Sequence, residues 1–141
     1  MPLIVQEASS ETIAQFLATL PADAPAISHW TRVEFASFLA REVRIGKYDR
    51  PQARGAATRF ASVIGETFQV ILPLADDFDR AAAYLANYDT GLRAPAALHL
   101  AVAANRRADA IYTLDKTMLR AGALLGLPVS TGVELPGYGD I

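Results

Sequence analysis

The 141-residue chain contains no cysteine and only two histidines. The absence of cysteine excludes disulfide bonds, cysteine-ligated zinc, iron–sulfur clusters and a thiol nucleophile. His29 and His99 stand about 70 residues apart, without the spacing of a zinc site, so we interpret each as structural. With 13 Lys and Arg against 15 Asp and Glu, the formal net charge of −2 excludes a globally basic nucleic-acid binder. The net charge does not exclude a local basic patch.

Long hydrophobic runs are also missing. No stretch approaches the roughly 20 apolar residues of a membrane-spanning helix, and the N-terminus has no positively charged segment followed by an apolar one. The composition is 52% hydrophobic and 20% charged, which predicts a compact soluble domain rather than intrinsic disorder. We therefore expect a cytoplasmic protein that is not exported and does not contact a membrane.

Short apolar segments alternate with helical patterns along the chain. Strands are predicted at 26–28, 68–74, 110–114 and 127–130, and helices at about 9–20, 30–45, 49–64, 76–85, 94–106 and 115–125. This alternation predicts βαβ units, and hence a mostly parallel sheet with helices on both faces. We place the domain at residues 1–133, followed by a Gly- and Pro-rich tail at 134–141.

Glu34 is the first candidate site residue. It has Trp30 at i−4 and Phe38 at i+4, so it shares a helix face with two large aromatic side chains. A carboxylate there is costly unless a cation, a metal ion or hydrogen bonds meet it. The alternatives are a functional site and a salt bridge from the helix edge to an arginine, and the spacing leaves both open.

Asp115 is the second candidate. It follows a predicted parallel strand, at the end where open α/β sheets place their ligands. It also stands at the start of a predicted helix, where Asp is among the best N-caps, so a purely structural role is equally open. Two carboxylates without cysteine favour a hard cation such as Mg²⁺ or Mn²⁺ over zinc.

Other reaction classes find no support, because the chain has no G-x-S-x-G, no phosphate-binding loop and no dinucleotide-binding fingerprint. Basic residues do cluster, with six of the 13 cations against two acids between positions 41 and 59. The six are Arg41, Arg44, Lys47, Arg50, Arg54 and Arg59. The pattern has two interpretations: the cluster binds a phosphate backbone, or it is the solvated face of two helices.

Several phrases together resemble a family. They are Ile27-Ser28 followed by Thr31-Arg32-Val33-Glu34-Phe35-Ala36, then Gly91-Leu92-Arg93-Ala94-Pro95-Ala96-Ala97-Leu98-His99-Leu100-Ala101, and then Tyr112-Thr113-Leu114-Asp115. In sequence, spacing and order they resemble a PIN domain, specifically a VapC-type toxin of a bacterial toxin–antitoxin system, over about Leu3 to Val133.

The resemblance implies a three-layer α/β/α sandwich with a mostly parallel sheet and Mg²⁺- or Mn²⁺-dependent cleavage of RNA. It also implies a homodimer and neutralisation by a cognate antitoxin protein. Carried over by position, Glu34 and Asp115 are the catalytic and metal-binding acids, and Arg93 is a candidate RNA contact.

Two of the four acids implied by the resemblance are not matched. The strand that opens the family, with its Asp, has no counterpart before Pro2, so we expect a truncated N-terminal strand. The third acid would follow the Pro of the Arg-Ala-Pro phrase, where this chain has Ala96. We therefore expect impaired ribonuclease activity. The alternative is a degenerate, non-catalytic PIN domain that binds an antitoxin or RNA.

Overall fold

The computed structural model describes residues 26–132, 134, 137 and 138. These residues fall into two compact units, which divide between Leu72 and Pro73. The predicted helix at 9–20 and the expected loss of the opening strand lie outside the described residues.

The first unit contains two strands and two helices. Strand β1 spans Ala26–Ser28 and helix α1 spans Trp30–Arg44; helix α2 spans Arg50–Thr67 and strand β2 spans Gln69–Ile71. The strands pair in parallel, with Ala26 opposite Gln69 and Ser28 opposite Ile71. The His29 amide donates to the Ile71 carbonyl at 2.7 Å, which extends the pairing to the first residue after β1.

Helix α2 begins where the sequence predicts. Asp49 Oδ1 accepts from the Gln52 amide at 2.7 Å, and Gln52 Oε1 accepts from the Asp49 amide at 2.8 Å, so both halves of a capping box are present. The predicted end at Gly65 is wrong, because the helix continues to Thr67. Gly65 is not among the glycines with positive φ, and the chain becomes extended only at Phe68.

Strand β2 is also shorter than predicted. The apolar run 68–74 predicts seven strand residues, yet only Gln69–Ile71 pair. Proline has no amide hydrogen to donate to a neighbouring strand, so Pro73 limits the segment on its C-terminal side.

The core of this unit lies between α1 and α2. Its buried members recur at helical spacing on both helices: Phe35 and Leu39 on α1, and Ala56, Phe60 and Ile64 on α2. The Phe35 and Phe60 rings meet at a centroid distance of 4.2 Å. Burial of one such phenyl group contributes about 1.5–3 kcal/mol, so this contact is a main reason why the two helices pack together.

The second unit contains three helices, a short 3₁₀ turn and two short strands. Helix α3 spans Ala75–Ala86, the 3₁₀ turn spans Tyr88–Thr90, and helix α4 spans Ala94–Asn105. Strand β3 is Ile111–Tyr112, helix α5 is Lys116–Leu125, and strand β4 is Val129–Ser130. The strands again pair in parallel, with Ile111 opposite Val129. The α/β class and the parallel strand pairing are confirmed.

Two details of this unit differ from the sequence predictions. The segment 110–114 is predicted as a buried strand, but only Ile111 and Tyr112 pair, and Tyr112 is 44% exposed. Helix α3 begins at Ala75 rather than at Asp76 or Asp77. Asp77 instead lies in the first turn and accepts from the Leu74 amide at 2.7 Å.

Asp77 joins α3 to the end of α4. Its side chain is 1% exposed and accepts from Asn105 Nδ2 at 2.8 Å and from Arg106 Nη1 at 2.8 and 3.0 Å. Burial raises the pKa of the Asp77 carboxyl, but the hydrogen bonds from Arg106, the Leu74 amide and Asn105, with the attraction of the Arg106 charge, outweigh it. The pKa is thereby held below its ordinary value of 3.8.

Gly122 allows α5 to approach strand β4 closely. A Cβ atom at this position would lie 2.3 and 2.6 Å from the Val129 Cγ2 and Cβ atoms, which is closer than carbon atoms can pack. Gly126, with φ +72°, ends α5 in the left-handed conformation and turns the chain toward β4. Among the described residues, no helix combines the length and apolar character that a membrane crossing requires.

Candidate functional site

Asp115 lies in the second unit, in the loop between β3 and α5. Its Oδ1 accepts from the amides of Thr117 at 2.8 Å and Met118 at 3.2 Å, so it is the N-cap of α5. Its own amide donates to Thr113 Oγ1 at 3.0 Å. The residue is exposed, and none of the hydrogen bonds among the described residues uses its Oδ2. Asp115 therefore has the structural role, and within the part of the chain that the structure describes this role uses only one of its two carboxylate oxygens.

A residue of the tail fixes the peptide group that precedes Asp115. The Tyr138 hydroxyl donates to the Leu114 carbonyl at 2.7 Å, and the Lys116 ammonium lies 5.1 Å from the centroid of the Tyr138 ring. The distance to the ring suits a cation–π contact. Sequence analysis missed Tyr138, because a lone tyrosine in a Gly- and Pro-rich segment carries no periodic signal.

Glu34 lies in the first unit, on α1, and is half-buried. Phe38 packs against the α1–α2 core, whereas Trp30 is 36% exposed. The helix face around Glu34 is therefore less apolar than the spacing predicts. The buried acid of this helix is Glu42, which is only 8% exposed, and sequence analysis did not single it out.

Arg93 and Ala96 stand at the start of α4 in the second unit. Arg93 is exposed, and its carbonyl accepts from the Ala97 amide at 3.0 Å in the first helical turn. Ala96 is half-buried and packs against the cluster of Leu100, Met118 and Ala121. The position at which the resemblance expects an acid is thus part of an apolar contact.

The divalent metal that the resemblance implies needs several oxygen ligands. Carboxylate oxygens such as those of Asp115 and Glu34 suit Mg²⁺ or Mn²⁺ in kind. There are too few of these ligands, however, because within its described residues neither unit brings together three side chains of the types that ligate metals. Ala96 adds an apolar contact where a ligand would be needed. The described residues of either unit therefore do not complete a metal site.

The basic residues between positions 41 and 59 are all exposed. Of the two acids in that span, Glu42 is buried, and Asp49 is exposed but serves as the N-cap of α2 through Oδ1. The end of α1, the loop after it and the first half of α2 therefore expose a strong positive excess, although the whole chain is slightly acidic.

Comparison with known proteins places this chain in a family. The family model for the PIN domain matches residues 3–124, which is most of the chain, so the chain belongs to the PIN domain family. PIN domains are generally nucleases that act on nucleic acids and typically use divalent metals. Neither the curated proteins nor the solved structures gave a match.

Proposed function

We propose that this protein is an endoribonuclease toxin of VapC type, from a type II toxin–antitoxin system, with reduced activity in this form. The observation that carries the proposal is the PIN domain match over residues 3–124. The motif phrases around Glu34, Arg93 and Asp115 narrow it to the VapC type. The proposal includes a cytoplasmic location, a cognate antitoxin, a homodimer and dependence on Mg²⁺ or Mn²⁺.

Glu34 and Asp115 are the proposed catalytic and metal-binding acids, and Arg93 the proposed contact to the RNA. Asp115 supports this role through its exposed carboxylate in the loop that follows the parallel strand β3, with only Oδ1 used by the helix cap among the described residues. Arg93 is exposed at the start of α4 and suits a phosphate oxygen, because its guanidinium donates two parallel hydrogen bonds. Reduced activity follows from Ala96, since an alanine offers a cation no oxygen.

Cleavage of a structured RNA with Mn²⁺, and with EDTA as the control, tests the assignment. Glu34→Gln and Asp115→Asn should each abolish cleavage. Asp115→Asn is the cleaner variant, because Asn caps a helix about as well as Asp and the substitution removes the charge alone. Unchanged cleavage by both variants would contradict the proposed roles.

Ala96→Asp tests whether the missing acid limits the activity. We expect this variant to cut faster than the unmodified protein if the ribonuclease assignment is correct. Ala96→Asn is the matched control, because it introduces the same volume beside Leu100 and Met118 without a charge. A gain from both variants alike would mean that the acid is not responsible.

A second function is a non-catalytic PIN domain that binds an antitoxin or RNA. Two observations favour it: Ala96 packs in an apolar cluster, and Asp115 Oδ1 is committed to the cap of α5. The binding module predicts no cleavage and no Mn²⁺ uptake by the protein or by Ala96→Asp, with partner binding retained. Saturable Mn²⁺ binding that Asp115→Asn removes would rule it out.

A further inference from the structure

A shallow, open groove of about 400 Å³ lies between the ends of α1 and α2 in the first unit. Its floor is aliphatic, formed by Leu39, Ala40, Val43 and Ala53, and its rim carries three arginines, Arg44, Arg50 and Arg54. We propose that this groove, the arginine groove, binds the sugar–phosphate backbone of single-stranded RNA. The proposal rests on the proposed function only for the identity of the ligand as RNA.

The charges around the arginine groove favour a polyanion. Three further cations are exposed in the same part of the chain: Arg41 on α1, Lys47 in the loop after it and Arg59 on α2. Glu42 is buried, and among residues 26–132 it forms no ion pair with these cations. A chain of phosphates can meet several of these cations at once, and each neutralised phosphate releases counterions, which is the main source of affinity for nucleic acids.

The arrangement of the rim also suits phosphates. Arg50 and Arg54 are four residues apart on α2, so their side chains leave the same face of the helix. A guanidinium group can donate two parallel hydrogen bonds to one phosphate.

Arg50 stands at a helix end that disfavours a cation. It is the first residue of α2, and apart from the capping carboxylate of Asp49 the first turn of that helix contains no acid. The N-terminal end of a helix carries a partial positive charge, so a cation there is destabilising. A bound phosphate offsets this repulsion.

The floor indicates which part of the RNA is bound. Proteins that hold bases of single strands stack them on aromatic side chains. The lining of the arginine groove contains no aromatic residue. Contact is therefore to the backbone, and binding should be independent of base sequence. An acidic amphipathic helix would also match an aliphatic floor and a basic rim, and it is an outcome of the test below.

The test measures binding of a fluorescein-labelled, mixed-sequence single-stranded oligoribonucleotide by anisotropy in EDTA, over about 50–200 mM salt. The variant is Arg50→Gln with Arg54→Gln, and the charge-matched control is Arg107→Gln with Arg120→Gln in the second unit. In a plot of the logarithm of the binding constant against the logarithm of the salt concentration, each phosphate contact to a single strand contributes about −0.7 to the slope. The variant, which removes two contacts, should therefore have a slope that is less steep by about 1.4. Over that salt range, the unmodified protein should lose roughly sevenfold more affinity than the variant.

Arg50→Glu separates a binding site from a solvated face. The substitution should raise Tm by about 1–4 °C, because it places an acid at the start of α2, and it should weaken RNA binding more than Arg50→Gln does. Equal RNA binding by the variants, the control and the unmodified protein would overturn the proposal. So would binding of a Glu- and Leu-rich helical peptide that requires Arg50 and Arg54, if RNA binding does not.

Because EDTA removes divalent cations, the experiment does not depend on catalysis. If the arginine variants weaken RNA binding but no Mn²⁺-dependent cleavage is found, the proposed function fails and the arginine groove stands. If cleavage is found and depends on Asp115, while the arginine variants bind RNA normally, the arginine groove alone is refuted.

Discussion

Replacing Asp77 by Asn should destabilise the protein by about 3 kcal/mol. The native carboxylate accepts hydrogen bonds from the Leu74 amide, Asn105 Nδ2 and Arg106 Nη1, and is 1% exposed. Breaking a buried ion pair by removing one partner costs about 3–5 kcal/mol. The lower end of this range applies to Asp77→Asn, because the Arg106 side chain is 29% exposed and can be hydrated once the carboxylate is lost. An Asn side chain also retains one acceptor oxygen.

Urea unfolding and thermal melting measure this effect. A loss of 3 kcal/mol corresponds to a Tm lower by roughly 6–12 °C in a protein of this size. Asp76→Asn is the matched control, because Asp76 is exposed in the same helical turn. It should lose only the interaction of an acid with the helix N-terminus, about 0.3–1 kcal/mol.

The Asp77 contribution should also depend on pH in a defined direction. Its pKa in the folded protein lies below 3.8, so the stabilisation is fully present above that value and is lost as pH falls through the folded pKa. The difference in unfolding free energy between the native protein and Asp77→Asn should be constant from neutral pH to about pH 5 and shrink below about pH 4. A difference below about 1 kcal/mol at neutral pH, or one that grows in acid, would refute this reasoning.

Three further variants test the packing and the helix caps. Gly122→Ala should lower stability by about 1–3 kcal/mol in urea unfolding, because the new methyl group would overlap the Val129 side chain; adding Val129→Ala should recover part of the loss, and no recovery would place the cause elsewhere. Asp49→Ala removes the acceptor for the Gln52 amide and should cost about 1 kcal/mol, whereas Asp49→Ser should cost less. Ala96→Asp should lower Tm more than Ala96→Asn, because the cost of a charge beside an apolar cluster exceeds the about 0.3–1 kcal/mol that an acid gains in the first turn of α4; equal Tm values would show that water reaches this position.

Helix boundaries were the part of the fold that sequence predicted best. Asp49 with Gln52, Asp115 and Gly126 each mark a terminus through local backbone chemistry that is independent of tertiary contacts. The predicted end of α2 before Gly65 was wrong, because a glycine can stay inside a helix at a cost of about 1 kcal/mol when the rest of the helix packs well.

Strand lengths and the polar contacts were not predictable in the same way. An apolar run such as 68–74 shows that a segment is buried or half-buried, but not how many residues find a partner strand. Asp77 and Arg106 are 29 residues apart in sequence, and their pairing depends on the packing of α3 against α4. For the candidate site, spacing identified Asp115 and its capping role, but not the contact from Tyr138.

The hydrogen bond from Tyr138 to Leu114 joins residues 24 positions apart, and α5 and β4 lie between them. A single hydrogen bond from a hydroxyl group thus holds the two ends of this stretch of chain together. Release of the hydroxyl removes the tether from the peptide group beside the cap of α5, so local opening of the tail and unwinding of the first turn of α5 are coupled. Amide hydrogens in that turn should therefore exchange faster in Tyr138→Phe. For the same reason, a purification tag added after Ile141 should be compared with one at the N-terminus before activities are measured.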